Sequence, residues 1–482
     1  MRPEEHLADF ERTEPIGPVL YIRGVKDTLV ELSALLVAPT SRPRPKVTVH
    51  QAEVQATRIL ESHGWSVWQY VFNLDSTIGA AYAVDGVSYE VNCRYGGDVR
   101  IAFVSCNGQE RGDIERSAGE RNQLWRRLAD QHAQQPFHLL LHGGDQIYAD
   151  ELLDVHPALR AWISRVPAEC GGIAASLEMI DALRGAFLGT YLHSLQQAET
   201  AWVQARVPSL AMWDDHDICD GWGSIAVEKL DSPVGKALFA VAREFFLVFQ
   251  LGVSPDHLPD IFLDPTGTSL SWRLRLPGVI TIAPDLRSER RPRRVLGPKG
   301  WNALEQALNE VEEGRVLLMS SVPVLGPPIS WLEAAASVGG PLRKYQDDLR
   351  DQWQSKVHGG EWQRLLALLS KVQDRVPVTV LSGEIHLAAR GELDVPGRPI
   401  HQLVASGIAH PAPSVLYSWL MEGLARLPCH PLSGLASRML PLPSMRSRYV
   451  AQRNYLILQR LSGEWTAYWE FEQHGRTSLL AI

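Results

Sequence analysis

The chain has 482 residues, more than one ordinary domain needs, and its 45% hydrophobic and 21% charged residues are normal for a soluble globular protein. Its 47 Lys and Arg against 55 Asp and Glu give a formal charge of -8, which argues against broad, non-specific binding of nucleic acid. No run is long and apolar enough to span a bilayer, and five scattered cysteines, an odd number, are not a disulfide framework. A reducing compartment follows from the cysteine usage. The N-terminus, Met1-Arg2-Pro3-Glu4-Glu5-His6, has neither an apolar signal core nor a twin-arginine start, so the expected location is cytoplasmic.

The first elements in chain order are β-rich. Short runs at residues 19–25, 30–37, 47–49, 66–72 and 88–91 alternate with Pro, Gly and Asn/Asp turns, the spacing of a small all-β sandwich. The Pro-rich stretch 40–46 cannot sit inside a sheet and reads as a long loop. The predicted division is residues 1–95 for this domain and 96–482 for a second, α/β domain. In the second part, strand runs alternate with helical segments at 120–135, 301–313 and 361–372, the last two each followed by a strand run (315–319 and 376–381). Residues 152–205 read as a mostly helical insertion. The Pro- and Leu-rich stretch 411–445 fits no clear element, and both segments are candidates for lids or rims.

Five apolar runs of the second part each stop on polar, metal-binding side chains. Residues 99–105 end at Cys106-Asn107, 137–141 at His142-Gly143-Gly144-Asp145-Gln146-Ile147-Tyr148-Ala149-Asp150, 210–213 at Asp214-Asp215-His216-Asp217, 279–283 at Asp285-Leu286-Arg287, and 376–381 at Ser382-Gly383-Glu384-Ile385-His386. Continuous apolar runs read as buried strands, and open α/β sheets bind ligands just beyond the carboxyl ends of their strands. Carboxylate, imidazole, phenol and thiol donors gathered at such ends point to metal, and to more than one ion.

Each cluster also has a plainer reading. Gly143-Gly144 permits a tight turn that faces Asp145 inward, where it could bridge two cations; Tyr148 could return to the same centre, or both could be a turn Asp and a buried Tyr. Three carboxylates in Asp214-Asp215-His216-Asp217 repel one another, so burial demands compensating positive charge. If the chain turns there, Asp215 can bind metal while His216 reaches the substrate. Cys106 is a small core residue or a thiolate ligand. Glu384 and His386 are spaced for two ligands on one loop. In Asp285-x-Arg287-x-x-Arg290 the arginines anchor either phosphate or neighbouring loops. The wider basic run (Arg287, Arg290, Arg291, Arg293, Arg294) is a solvated loop or an anion site.

The strings Gly-Asp-Gln-Ile-Tyr, Trp-Asp-Asp-His-Asp and Ser-Gly-Glu-Ile-His resemble signatures of the alkaline phosphatase D family, the PhoD-type metallophosphatases. Ser105-Cys106, the Asp285 motif and Asp351-Gln352-Trp353 extend the resemblance from about residue 95 to the C-terminus. It implies a two-sheet αββα sandwich of the calcineurin-like kind and an N-terminal immunoglobulin-like domain. It also implies Cys106 and Tyr148 as iron ligands, Asp145 as the metal bridge, and Asp215, Glu384 and His386 as further ligands. His216 is then the substrate-facing catalytic residue, and Asn107 and Arg287 are the expected substrate contacts. The implied metals are ferric iron and calcium, with other divalent ions as substitutes. The chain departs from the family in one place: Glu384 stands where Asp is common, and Glu is one methylene longer.

The expected activity is hydrolysis of small phosphate monoesters or diesters by a metal-bound hydroxide, with no specific nucleic-acid partner. Two other classes remain: a hydrolase using Cys106 as a thiol nucleophile, and a phosphate-ligand binding protein without catalysis.

Overall fold

A computed structural model describes residues 14–77, 80–108, 116–328 and 351–482. Its centre is three strands, Val99–Val104, Leu139–Gly143 and Ser209–Met212, buried along their whole length. They pair in parallel, with Leu141 opposite both Phe103 and Leu210. Strands covered on both faces are apolar at most positions, which is why they read as nearly continuous runs, interrupted here by Arg100, His142 and Ser209. Side chains alternate between two layers. Ile101 and Phe103 enter the main core, while Ala102 and Val104 meet Leu124, Trp125 and Leu128 of the helix Gln123–Gln134. An antiparallel hairpin, Asn454–Leu461 and Glu464–Phe471, extends this sheet beyond Val99–Val104.

On its other side the sheet continues into the N-terminal part. The strand Ile16–Lys26 joins Ser209–Met212 in parallel through Tyr21 and Ser209, and Leu29–Pro39, Trp65–Asp75 and Ala56–Ser62 follow antiparallel. A smaller sheet of Val47–Val49, Ala52–Glu53, Ala80–Val84 and Val87–Val91 packs near them, with Phe72 against Tyr82 at 5.4 Å. The sandwich expected over residues 1–95 therefore has β layers from residue 14 on, but it does not stand apart. Tyr21 Oη donates to Phe249 O (2.7 Å) and Tyr82 Oη to Ala205 O (2.7 Å), and the main core runs through both parts. The reason is the burial of Ile16–Lys26: a strand apolar on both faces needs neighbours on both faces.

A second large sheet carries Val279–Ala283, Arg315–Ser320, Val378–Ser382 and Ile400–Val404 in parallel. The helices Pro298–Asn309 and Gly359–Gln373 bury Leu304, Leu308, Leu366 and Leu369 in the same main core. Trp272 Nε1 donates to Ala211 O and Trp469 Nε1 to Val404 O, both at 2.8 Å, tying this sheet to the first. Residues 152–205 are helical as expected (Pro157–Ser164, Leu177–Leu195, Ala198–Gln204). Residues 411–445 form the helix Val415–Leu424 and the strands Cys429–Leu432 and Leu435–Leu440. Among the described residues no helix is long and apolar enough to cross a membrane.

Candidate metal centre

The carboxyl ends of the central strands meet. Gly383 N donates to Ser321 O, Ile408 N to Ser105 O and Trp213 Nε1 to Asp285 Oδ1, linking six strand ends in three pairs at 3.0, 3.1 and 2.8 Å. Four residues there hold left-handed backbone: Cys106 (φ 52°), Asp145 (φ 56°), Glu384 (φ 62°) and His386 (φ 53°). Non-glycine residues adopt this conformation at a cost, and it concentrates at functional sites. All four are predicted metal ligands.

Two glycines make the geometry possible. A Cβ on Gly144 (φ 107°) would lie 2.8 Å from Asp214 Cβ, so only glycine lets the two acidic loops approach. A Cβ on Gly108 would fall 1.6 Å from Tyr148 Cδ2, so its absence is what seats the Tyr148 ring.

Cys106 Sγ lies 3.5 Å from Asp145 Oδ2 and 3.1 Å from Ser406 Oγ. Tyr148 Oη lies 2.8 Å from His386 Nε2, and its ring stacks on His216 (4.3 Å) and His410 (4.9 Å). Cys106, Asp145 and His386 can bring donor atoms within 4.8 Å of one another; Asp145, Asp214 and Asp215 can do the same, as can Asp215, His216 and Asp220. Asp145 belongs to two of these groups. Its Oδ1 and the Oδ2 of Asp214 are buried without a hydrogen-bond partner, which a native interior rarely tolerates for carboxylate oxygens. Burial raises the Asp145 carboxyl far above its ordinary range, with Cys106 and Asp214 adding to it. Burial likewise pushes Asp214 up to about 6, although Arg287 opposes it. Such groups stay ionised only beside positive charge, so the donor set fits cations.

The turn Asp214–Asp217 divides its labour. Asp217 accepts the backbone N–H groups of Asp145, Gln146 and Ile147 (3.0, 3.1 and 3.3 Å), which pins the Asp145 loop. Asp215 lines the cavity and accepts Gly221 N at 2.8 Å. His216 also lines the cavity, and its Nδ1 lies 2.6 Å from Asp150 Oδ2. Burial opposes protonation of His216, but Asp150, Asp215 and Asp145 outweigh it and raise the imidazole well above its ordinary range. His386 goes the other way: burial, then His410 and His216, lower it.

Arg287 requires a correction. It is fully buried and gives its N–H groups to Asp214, Asp215, Asp351 and Trp222 O, so it has none for a substrate. Burial would raise Asp351, but Arg287 and Arg290 hold its carboxyl far below the ordinary range. The loop-anchoring alternative describes this network, and the run 287–294 is not one solvated patch: Arg290 is also fully buried, while Arg293 and Arg294 are exposed. Removing one partner of a buried ion pair costs about 3–5 kcal/mol. Arg287→Met should lower unfolding stability by that order in a denaturant titration; a loss under 1 kcal/mol, the size expected of an exposed pair, would contradict the network's role.

Two further expectations shift. Asn107 Oδ1 accepts Trp125 Nε1 at 2.6 Å, and Asn107 lines a small cavity with His142 and Gln146 rather than the one beside Asp145. With its oxygen engaged by Trp125, this position does not favour the predicted substrate contact. Glu384 lines the main cavity, but its oxygens accept Gln352 Nε2 at 3.0 and 2.9 Å, and it joins none of the three donor groups. Burial, then Asp351 and Asp214, raise its carboxyl well above the usual range. Sequence reading gave no role to Asp150, although it closes the string that begins at His142, and it missed Asp220, Ser406 and His410; Asp220 had a signal, lying three residues beyond Asp217.

Residues 66–345 match the family model described as PhoD related phosphatase. The chain belongs to the PhoD-related phosphatase family. An uncharacterized protein of Saccharomyces cerevisiae, YGR266W, is 24% identical over 400 residues, covering 68% of this chain. The chain spans 56% of that relative's length. The solved structure of PhoD superposes with a TM-score of 0.60 at 12% identity, covering 98% of this chain and 90% of PhoD. At that identity the likeness shows the mixed α/β fold alone.

Proposed function

We propose that this PhoD-related chain hydrolyses phosphate esters at a centre of two or more metal ions. The observation that carries this reading is Asp145, buried at a strand end, shared by two groups of donors and left with an unpartnered carboxylate oxygen. In this reading Cys106, Asp145, Tyr148 and His386 hold one cation, and Asp145, Asp214 and Asp215, with Asp220 beside them, hold the other. Bound cations at such a site supply Lewis acidity toward phosphoryl oxygens and an activated nucleophile at neutral pH. The two-sheet arrangement supports the metallophosphatase sandwich as its architecture.

The chain's own residues supply the rest. The oxygen of water bonds to phosphorus, the ester P–O bond breaks, and the departing oxygen takes a proton. His216, raised toward its protonated form and held by Asp150, is placed at the cavity wall to stabilise developing charge or give that proton. Asp150 is a positioning residue. Cys106 is fully buried and is not among the residues lining the cavity, which favours a ligand role over a thiol nucleophile.

Metal removal tests the reading. A chelator should abolish turnover of nitrophenyl phosphate esters and added metal should restore it, while a thiol alkylator leaves it intact. Sensitivity to the alkylator alone would return the thiol mechanism.

Ferric iron beside Cys106 and Tyr148, with calcium among the carboxylates, is the finer form of the proposal. Phenolate and thiolate give ferric iron visible charge-transfer bands. The purified protein should be coloured, and Tyr148→Phe should shift or bleach the band. An iron-loaded protein whose spectrum ignores Tyr148→Phe would exclude tyrosinate ligation.

A further inference from the structure

The cavity beside the centre has a mixed lining, and its volume is about 180 Å³. Asp145, Asp215, His216, Glu384 and His386 contribute polar groups to it, while Leu325, Ile385, Val404, Met421, Met439 and Tyr449 contribute apolar surface. Four of these six (Val404, Met421, Met439 and Tyr449) form a small apolar cluster with Leu387 and Ala389, separate from the two larger cores. Tyr417 and Met421, one helical turn apart on Val415–Leu424, both face the cavity.

The wall is built rather than incidental. Glu422 accepts Arg448 N at 2.6 Å and Arg448 Nη1 at 2.7 Å, locking the helix beside the strand Tyr449–Val450. Nearby amides are already engaged: Gln354 Nε2 donates to Pro323 O and Val324 O, and Gln352 to Glu384. With these two amides engaged, the described residues of this wall offer a bound group mainly apolar surface. Methionine side chains, flexible and polarizable, adapt to hydrocarbon of varied shape.

We propose that this compartment binds the organic part of the substrate, and that the substrate is a phosphate ester carrying an alkyl or aryl group rather than a sugar. The proposal rests on the hydrolytic reading of the neighbouring centre. The ester could be free in solution or held in a membrane. The outer face of the same helix exposes Leu416 (74%) and Trp419 (69%), which suits either source.

The test is a chain-length series on the purified full chain. Alkyl nitrophenyl phosphodiesters and alkyl phosphate monoesters, methyl to octyl, are assayed for kcat/KM, and alkylphosphonates of the same lengths for Kd. Each buried methylene should raise kcat/KM and tighten Kd about three- to fourfold until the compartment is full. Met421→Gln and Met439→Gln should flatten both slopes. A flat wild-type series, or glycerol and ribose phosphates outrunning the alkyl esters, would overturn the subsite even if hydrolysis is fast. Chain-length-dependent phosphonate binding without turnover would keep the subsite and sink the hydrolytic reading; neither binding nor turnover would sink both. Turnover of the octyl ester as a monomer identifies a soluble source. Turnover only in phosphatidylcholine vesicles identifies a membrane source, and both outcomes support the subsite.

Discussion

Asp145→Asn should abolish hydrolysis and lower bound metal together. The change keeps the size of the side chain and removes one negative charge. In the structure that charge sits between the Cys106–His386 donors and the Asp214–Asp215 donors. An amide offers a weaker oxygen, and it places an N–H₂ donor where two cations are proposed to be held. The loop itself should survive, because Asp217 pins it through the backbone N–H groups of residues 145–147 and not through the Asp145 side chain. The loss is therefore expected without unfolding, read by elemental analysis and thermal melting on one sample. Activity within a few-fold of wild type would remove Asp145 as the bridge.

His216→Asn should separate chemistry from metal binding. Rate should fall on the order of 10²–10⁴-fold, the range for loss of proton transfer or of one charge-stabilising donor. Metal content should stay close to wild type. If protonating the leaving oxygen is its main task, nitrophenyl esters should suffer less than alkyl esters, because nitrophenolate leaves without a proton. Equal losses would assign charge stabilisation. His216 also lies in a donor group with Asp215 and Asp220, so metal loss in this variant would make it a ligand. Asp150→Asn should reproduce part of the defect, because it removes the carboxylate charge 2.6 Å from His216 Nδ1 that favours the protonated imidazole.

The strand ends were legible because doubly covered strands are apolar along most of their length, and the clustered carboxylates and imidazoles after them depart from that pattern conspicuously. Cys106, Asp145, Tyr148, Asp215, His216 and His386 are all brought together at such ends. Direction was not legible. Arg287 stands in a run of arginines that resembles a solvated loop, yet Asp214 and Asp351, each more than sixty residues away, draw it into full burial. Asn107 follows the same logic: Trp125, on the helix Gln123–Gln134, donates to its oxygen. The helix Val415–Leu424 is apolar on nearly every side, so no 3.6-residue period marks it. The helix Pro233–Leu251 does carry local signals, a Ser232 cap, Pro233 in the first turn and a left-handed Gly252 at its end, but nothing in them announces that Gln250 reaches Asp217 at 2.7 Å behind the site. The N-terminal β layer was legible as β; its continuity with the central sheet depends on Tyr21 meeting Ser209, a contact 188 residues apart.

Elemental analysis of the purified protein, paired with turnover of mono- and diester substrates on the same preparation, tests the central claim most directly. At least two metal ions per chain, falling in Asp145→Asn in step with activity, is the expected result. Full phosphatase activity in protein free of bound metal would contradict it.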